Sequence, residues 1–357
     1  WAASSETIVS DAGVSDTSQA KRYSCGDQPL RTTWPNTRLS FILETAHVVS
    51  RIVFRPRNSS DGPSKMLLGV FEGANREDFM DAVPLYLIGE TPASGVDTEV
   101  GVRVTRGFRY VRYVGPSGAR SIVGELEFYG HEGEGTDSVF YQVTDLPTVS
   151  IHVRNNSVPQ TKGIDFSANL TIVYEDGTLI QEYPILTRVR GNFSATHENR
   201  PYRIKFHDGK KHHMLKGSVE DESPAKAKKW TLINNYGDKT LIRNNVAFEV
   251  SRRVGMPFTP WCRCVDLLLN GEYRGCYQLT DHVSSNPDRI PITDMEPEDV
   301  EGEALTGGYL IEMNGYAGND PVHFTSNHGN PITVHEPDDD GIQPTQVQNI
   351  RNHFNSM

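Results

Sequence analysis

The chain has 357 residues, 36% of them hydrophobic, and its 35 Lys and Arg against 46 Asp and Glu give a formal net charge of −11. A chain of this length and apolar content can bury more than one core, which excludes wholesale disorder and leads us to expect two or three domains. The acidic balance argues against a general nucleic-acid binder, whose phosphate contacts need net basic surface, and no window approaches the roughly 18 uninterrupted apolar residues of a membrane-spanning helix.

From about residue 25 to 131, short apolar runs are broken by Gly, Pro, Asn and Asp. RLSFILE, SRIVFRPR, MLLGVFEG, PLYLIGE, RGFRYVRYVG and VGELEFYG all read as strands, with no convincing helix between them. That spacing predicts an antiparallel β-sandwich over 1–131, with Tyr110, Tyr113 and Phe128 as core positions of paired strands. HEGEGTDS follows, polar and without periodicity, and 132–138 reads as a linker with few contacts across it. TTWPNT, SRIVFRPRN and FRYVRYVGPSGARSIVGELEFYG together resemble the discoidin, or coagulation-factor C-type, jelly roll. The resemblance implies a domain that binds glycans or membrane surfaces through loops at one end, where Trp34 could stack on a sugar.

Beyond 139 the pattern changes. LPTVSIHV, ANLTIVYEDG, ILTRVRGN and PYRIKF read as strands, and DKTLIRNNVAFEVSRRVG as a helix with Asp238 as N-cap and Gly255 as C-terminal stop. Ile242, Val246, Val250 and Val254 recur at four-residue spacing and predict one buried stripe. A hairpin turning at Asn270-Gly271 comes next, then an acidic loop from Asp294 to Glu303, the strands GGYLIEMN and PITVHEP, and the opening turns of a helix before Met357. None of Cys25, Cys262, Cys264 and Cys276 has C-x-x-C spacing, so no metal site is expected. A two-residue loop sets Cys276 opposite Val265, and a three-residue loop with a bulge sets it face to face with Cys264; buried free thiols are the simpler reading. Sequons at Asn58, Asn155, Asn169 and Asn192 lean toward an exported glycoprotein.

One short stretch is anomalous for an acidic chain: residues 188–206 carry Arg188, Arg190, Arg200, Arg203 and Lys205. Strand alternation sets Arg203 and Lys205 on one face and Tyr202, Ile204 and Phe206 on the other. Its motifs RGNFS and RPYRIKF are followed by KKWTLINNYGDKTLIRN, VDLLLNGEYRGCYQLTDHV and GGYLIEMN. In that order and spacing they resemble the CotH spore-coat kinase family from about Leu146 onward. The resemblance implies an α+β kinase-like lobe, incomplete at the C-terminus, within 139–357. It also implies ATP and Mg2+ as cofactors of the complete family domain, and surface or matrix proteins as substrates. Arg190, Arg200 and Lys205 would meet the phosphates, with Arg200 standing where the family usually has a lysine. Glu249 would pair with a phosphate-binding cation, and Tyr309 with Glu312 would line the adenine pocket. A solvated strand face, and a Glu249–Arg253 surface pair, are the plainer readings of the same residues.

The family's tryptophan-flanked W-D-x-D acids are absent, since Trp1, Trp34, Trp230 and Trp261 precede Ala, Pro, Thr and Cys. The chain alone is therefore expected not to transfer phosphate, its metal-holding acids lying past Met357. Two functional classes stand: an extracellular or cell-surface CotH-like kinase tethered by a glycan-binding domain, and a structural or adhesive protein that keeps the fold without catalysis. A plain carbohydrate-binding module accounts for the first domain alone.

Overall fold

The structure is a computed structural model that describes residues 6–8, 38–119, 123–177, 180–215, 226–337 and 341–357; Cys25 and Trp34 lie outside the described residues. Among these, no helix is long and apolar enough to cross a membrane.

The apolar runs of the first domain form β1 (Glu6–Ile8), β2 (Arg38–Pro56), β3 (Val70–Ala74), β4 (Val83–Leu87), β5 (Thr98–Gly101), β6 (Gly107–Val114) and β7 (Val123–Glu132). They join in one sheet of order β1-β7-β2-β6-β3-β4, with β5 on β2. Strands β7 and β3 are three steps apart in this ladder, about 14 Å on a flat sheet. Their rings Phe71 and Phe128 nevertheless lie 6.2 Å apart. The sheet therefore curls over on itself, and Phe54, Phe71, Phe108, Tyr113 and Phe128 fill the space between its layers, each buried. Tyr110 is only half-buried and packs edge-on against Phe79. The segment read as a linker begins inside β7 and is then pinned to the sandwich. Gly133 N–H donates to Ala46 O at 2.8 Å and Thr136 N–H to Thr105 O at 2.9 Å.

The second body differs from the α+β lobe that the resemblance implied. Strands β8 (Thr148–Val153), β9 (Phe166–Val173), β10 (Ile180–Val189), β11 (Tyr202–Phe206), β12 (Lys229–Ile233), β13 (Cys262–Leu269) and β14 (Glu272–Asp281) close into a barrel of order β10-β11-β12-β14-β13-β8-β9. Closure comes from the parallel pairing of β13 with β8, which joins segments more than a hundred residues apart and leaves no local sequence signal. Val149, Ile151, Leu170, Ile204, Trp230 and Leu267 fill the interior. Among the described residues of this body the one α-helix, α1 (Arg243–Arg253), lies outside the barrel.

Helix α1 starts five residues after Asp238, whose carboxylate still accepts the Arg243 N–H at 2.8 Å. It ends as expected: Gly255 has φ +74°, and the Gly255 and Met256 N–H groups donate to Arg252 O and Ser251 O. The valine stripe is a correction. Ile242, Val246, Val250 and Val254 are 50–69% exposed. Polar tethers fix the helix rotation instead: Asn235 Nδ2 donates to Leu241 O at 3.0 Å and to Gln278 Oε1 at 3.1 Å, while Asn244 Nδ2 donates to Asn235 Oδ1 at 2.8 Å. Four-residue spacing defines an apolar stripe, but these bonds decide which side meets the barrel.

The hairpin register also departs from both alternatives. A bulge between Asp266 and Leu268 sets Cys276 opposite Asp266, so Cys264 is its diagonal neighbour on the same face, and neither is in a disulfide. Finally, β15 (Leu310–Met313), β16 (His323–Thr325) and β17 (Pro331–Glu336) form a small sheet of order β15-β17-β16, packed on α2 (Pro344–Ser356) through Phe324, Ile332 and Ile350.

The two large bodies share a buried seam, more than a polar linker suggested. The Asn270-Gly271 turn enters the sandwich, and Asn270 O accepts from Arg38 Nη2 at 3.1 Å. Gly271, at φ +81°, leaves no room for a side chain: a Cβ would lie 2.3 Å from Glu72 Oε2. Glu72 is fully buried, paired with Arg112 Nη2 at 2.6 Å in its own domain and with His152 Nε2 at 3.0 Å across the seam. Burial alone would raise the Glu72 pKa, but Arg112 and then His152 outweigh it and hold it down at about 2.

Candidate functional site: a cationic face on the barrel

Alternation along β11 is as the sequence predicts: Tyr202, Ile204 and Phe206 are buried in the barrel, and Arg203 and Lys205 are half-buried on its outer face. Cross-strand register extends that face. Arg188 stands opposite Arg203, and Lys205 stands between Leu186 and Lys229. Directly opposed like charges are destabilising in a sheet unless something offsets them. Asp165 does so for the first pair, accepting from Arg203 Nη2 at 2.9 Å and lying 3.8 Å from Arg188 Nε. Lys205 has no ion pair among the described residues.

At the head of the same face, Arg190 follows β10, with its backbone N–H bonded to Pro201 O at 3.0 Å. Burial lowers the pKa of its guanidinium, and Glu312 opposes that shift. His282 follows β14 and faces Thr231 Oγ1 at 3.5 Å. Its pKa falls from 6.5 to about 3, first because it is desolvated and then because Lys229, Arg190, Arg289 and Arg203 surround it. Burial keeps this imidazole neutral first and the four cations add to it, and an anion entering beside them would relieve their repulsion. Gln278, in the outward row that includes Arg190, is fully buried and keeps an Nε2 donor without an acceptor.

The remaining candidates distribute unevenly. Glu312 contributes to the electrostatics of Arg190 while sharing a 2.7 Å hydrogen bond with His335 Nε2. Arg200 does not join the set. It has the parity of inward-facing Tyr202 and lines a cavity between the barrel and the sandwich. Glu249 bonds Arg253 Nε at 2.7 Å and Arg252 Nη2 at 3.4 Å on the surface of α1, the plainer of its two readings. Tyr309 donates from its hydroxyl to Leu305 O at 2.9 Å and packs in the cluster under α2, which occupies its ring.

Parity could have separated Arg190 from Arg200, since 190 is odd-even opposite to inward Val189 and 200 shares the parity of Tyr202. Lys229 was legible as the outward neighbour of Trp230. His282 and Gln278 carried no such mark, because their place follows from the β12–β14 register.

Among the described residues, no three His, Cys, Asp or Glu side chains gather as metal ligands. The donors gathered here, guanidinium, ammonium and amide groups, are of the kind that meets an anion.

Comparison with known proteins agrees on the second body. Residues 187–351 match the family model described as CotH kinase protein, a span that includes all six site candidates. Among solved structures, the carbohydrate-binding module CBM62 from Clostridium thermocellum Xyl5A is 40% identical over 28% of this chain and 72% of its own, at a TM-score of 0.26. Among curated proteins none matches.

Proposed function

We propose that the barrel's outer face binds the phosphates of a nucleoside triphosphate, and that the chain is the nucleotide-binding part of a CotH-like atypical protein kinase. The observation that carries this reading is the set of cations on this face, Arg190, Arg203 and Lys229 beside neutral His282 with Lys205 opposite Lys229 in register, within the CotH-matching segment. Several negative phosphate oxygens are the kind of ligand that offsets such a basin, because kinases act on phosphates chiefly by positioning and charge neutralisation. Arg190 and Lys205 would contact the phosphates, Arg203 would hold the face's geometry through Asp165, and Gln278 would supply a neutral donor. No catalytic step is drawn through magnesium, for which the described residues offer no ligand set.

The sandwich would serve as a glycan-binding domain outside the cell, as its sequence resemblance implies, and would bring the kinase-like body to surface or matrix proteins. A structural or adhesive role without catalysis is favoured by one observation, the commitment of Glu249 to Arg253 and Arg252. A thermal-shift titration separates the two. ATP near 100 times its dissociation constant should stabilise the fold by roughly 2.7 kcal/mol, and ADP and AMP progressively less at equal concentration. No shift with any nucleotide would leave the adhesive reading.

A further inference from the structure

Arg200 belongs to a second, separate concentration of arginine. A cavity of about 500 Å3 opens where the sandwich meets the barrel, and three guanidinium groups line it: Arg38 from β2, Arg200 from the loop before β11, and Arg274 from β14. They come from distant parts of the sequence and both bodies, so only the assembled seam brings them together. Two have anchors beneath the cavity. Arg38 donates to Asn270 O at 3.1 Å, and Arg274 Nη2 donates to the buried Glu272 at 3.1 Å. Arg200 has no ion pair among the described residues.

All three share one feature: each has a buried Nε with no hydrogen-bond partner. A buried donor left unmet is unfavourable, so none of the three guanidinium groups is fully satisfied by the protein itself. Burial and the nearby Arg112 also pull the Arg38 pKa down to about 10, against Glu72 and Glu272, which raise it. Glu198 is the one carboxylate in the lining, and it is exposed. The rest of the wall is neutral, with amide and hydroxyl groups such as Ser157 and Gln160 beside the apolar surfaces of Val158 and Tyr202. Guanidinium forks suit carboxylate and phosphate oxygens, amides and hydroxyls suit alcohols, and the volume falls in the range of small-molecule sites.

We propose that this cavity binds a small polyhydroxylated anion, a sugar bearing a carboxylate or a phosphate. The site requires both bodies, so ligand binding would lock the seam. The proposal does not depend on the nucleotide reading of the outer face.

Isothermal titration of the full chain with D-glucuronate, D-glucose 6-phosphate, D-glucose and inorganic phosphate tests it. One of the two anionic sugars should bind at least tenfold more tightly than glucose and than inorganic phosphate, and which one does identifies the oxyanion. Arg200→Ala removes a side chain with no structural ion pair and should weaken that binding at least tenfold. Gln160→Glu adds a carboxylate at an exposed lining position and should weaken it similarly while leaving ATP affinity unchanged. The proposal is overturned if neither anionic sugar binds at millimolar concentration, if glucose or inorganic phosphate binds as tightly, or if both variants bind like the parent. Loss of ATP binding in Gln160→Glu would also overturn it, by making the cavity part of the nucleotide site.

Discussion

The seam and the outer face of the barrel both gather arginine, yet they use it oppositely. Beneath the cavity, the charges that join the two bodies are buried and matched: Glu72 answers Arg112 and His152, and Glu272 answers Arg274, while the backbone of Asn270 accepts from Arg38. On the outer face several cations stand beside His282, which burial first and then these cations keep neutral. Charge that is matched and dry holds two bodies in register, whereas charge that is unmatched and half-exposed is available to a ligand. Substitutions should therefore damage folding at the seam and binding on the face.

The largest effect is expected from Glu72→Ala, which leaves Arg112 buried without its partner. Breaking a buried pair in this way costs about 3–5 kcal/mol, and denaturant unfolding should show it as a lower midpoint. A loss under about 1 kcal/mol would mean the seam is not where stability resides. Gly271→Ala comes next, since the new methyl would meet the Glu72 carboxylate at a left-handed position. Roughly 1–3 kcal/mol is expected, again by denaturant unfolding.

Acid sharpens the comparison. The folded pKa of Glu72 is depressed, so its stabilisation is complete above the ordinary value of 4.5 and is lost as pH falls toward about 2. His282 is also depressed, from 6.5 to about 3, so its unfolded form takes up a proton first and stability declines as pH falls through that window. The two windows overlap only at the acid end. Stability should begin to slip below about 6.5 in the parent and not in His282→Asn, as thermal melts across pH would reveal. NMR titration of His282 should show its pKa rising when a nucleotide occupies the face. The smallest effect belongs to the exposed stripe of α1: Val250→Ser should stay within about 0.5 kcal/mol of the parent, and a larger loss would mean something covers that helix.

The sequence carried the local part of this picture and not the closing part. Strand alternation fixed which side chains of β11 face out, and Gly255 ended α1 where expected, because both follow from a few adjacent residues. The stripe on α1 was read as buried because periodicity shows a side without showing its neighbour; Asn235 and Asn244 set that side. The lobe was read as α+β because nothing near β8 announces its pairing with β13. The grouping of Arg200 with Arg190 failed for a related reason: both flank the same hairpin, yet pleat parity sends them to opposite sides of the wall.

The most direct test is ATP affinity of the full chain and of Arg190→Ala and Lys205→Ala, measured by calorimetry at fixed salt. Each lost charged contact should cost roughly 1.5–3 kcal/mol, a fall of about 10- to 150-fold in affinity, with the unfolding midpoint without ligand nearly unchanged. Equal affinity in the parent and both variants would contradict the account and return these cations to a solvated strand face.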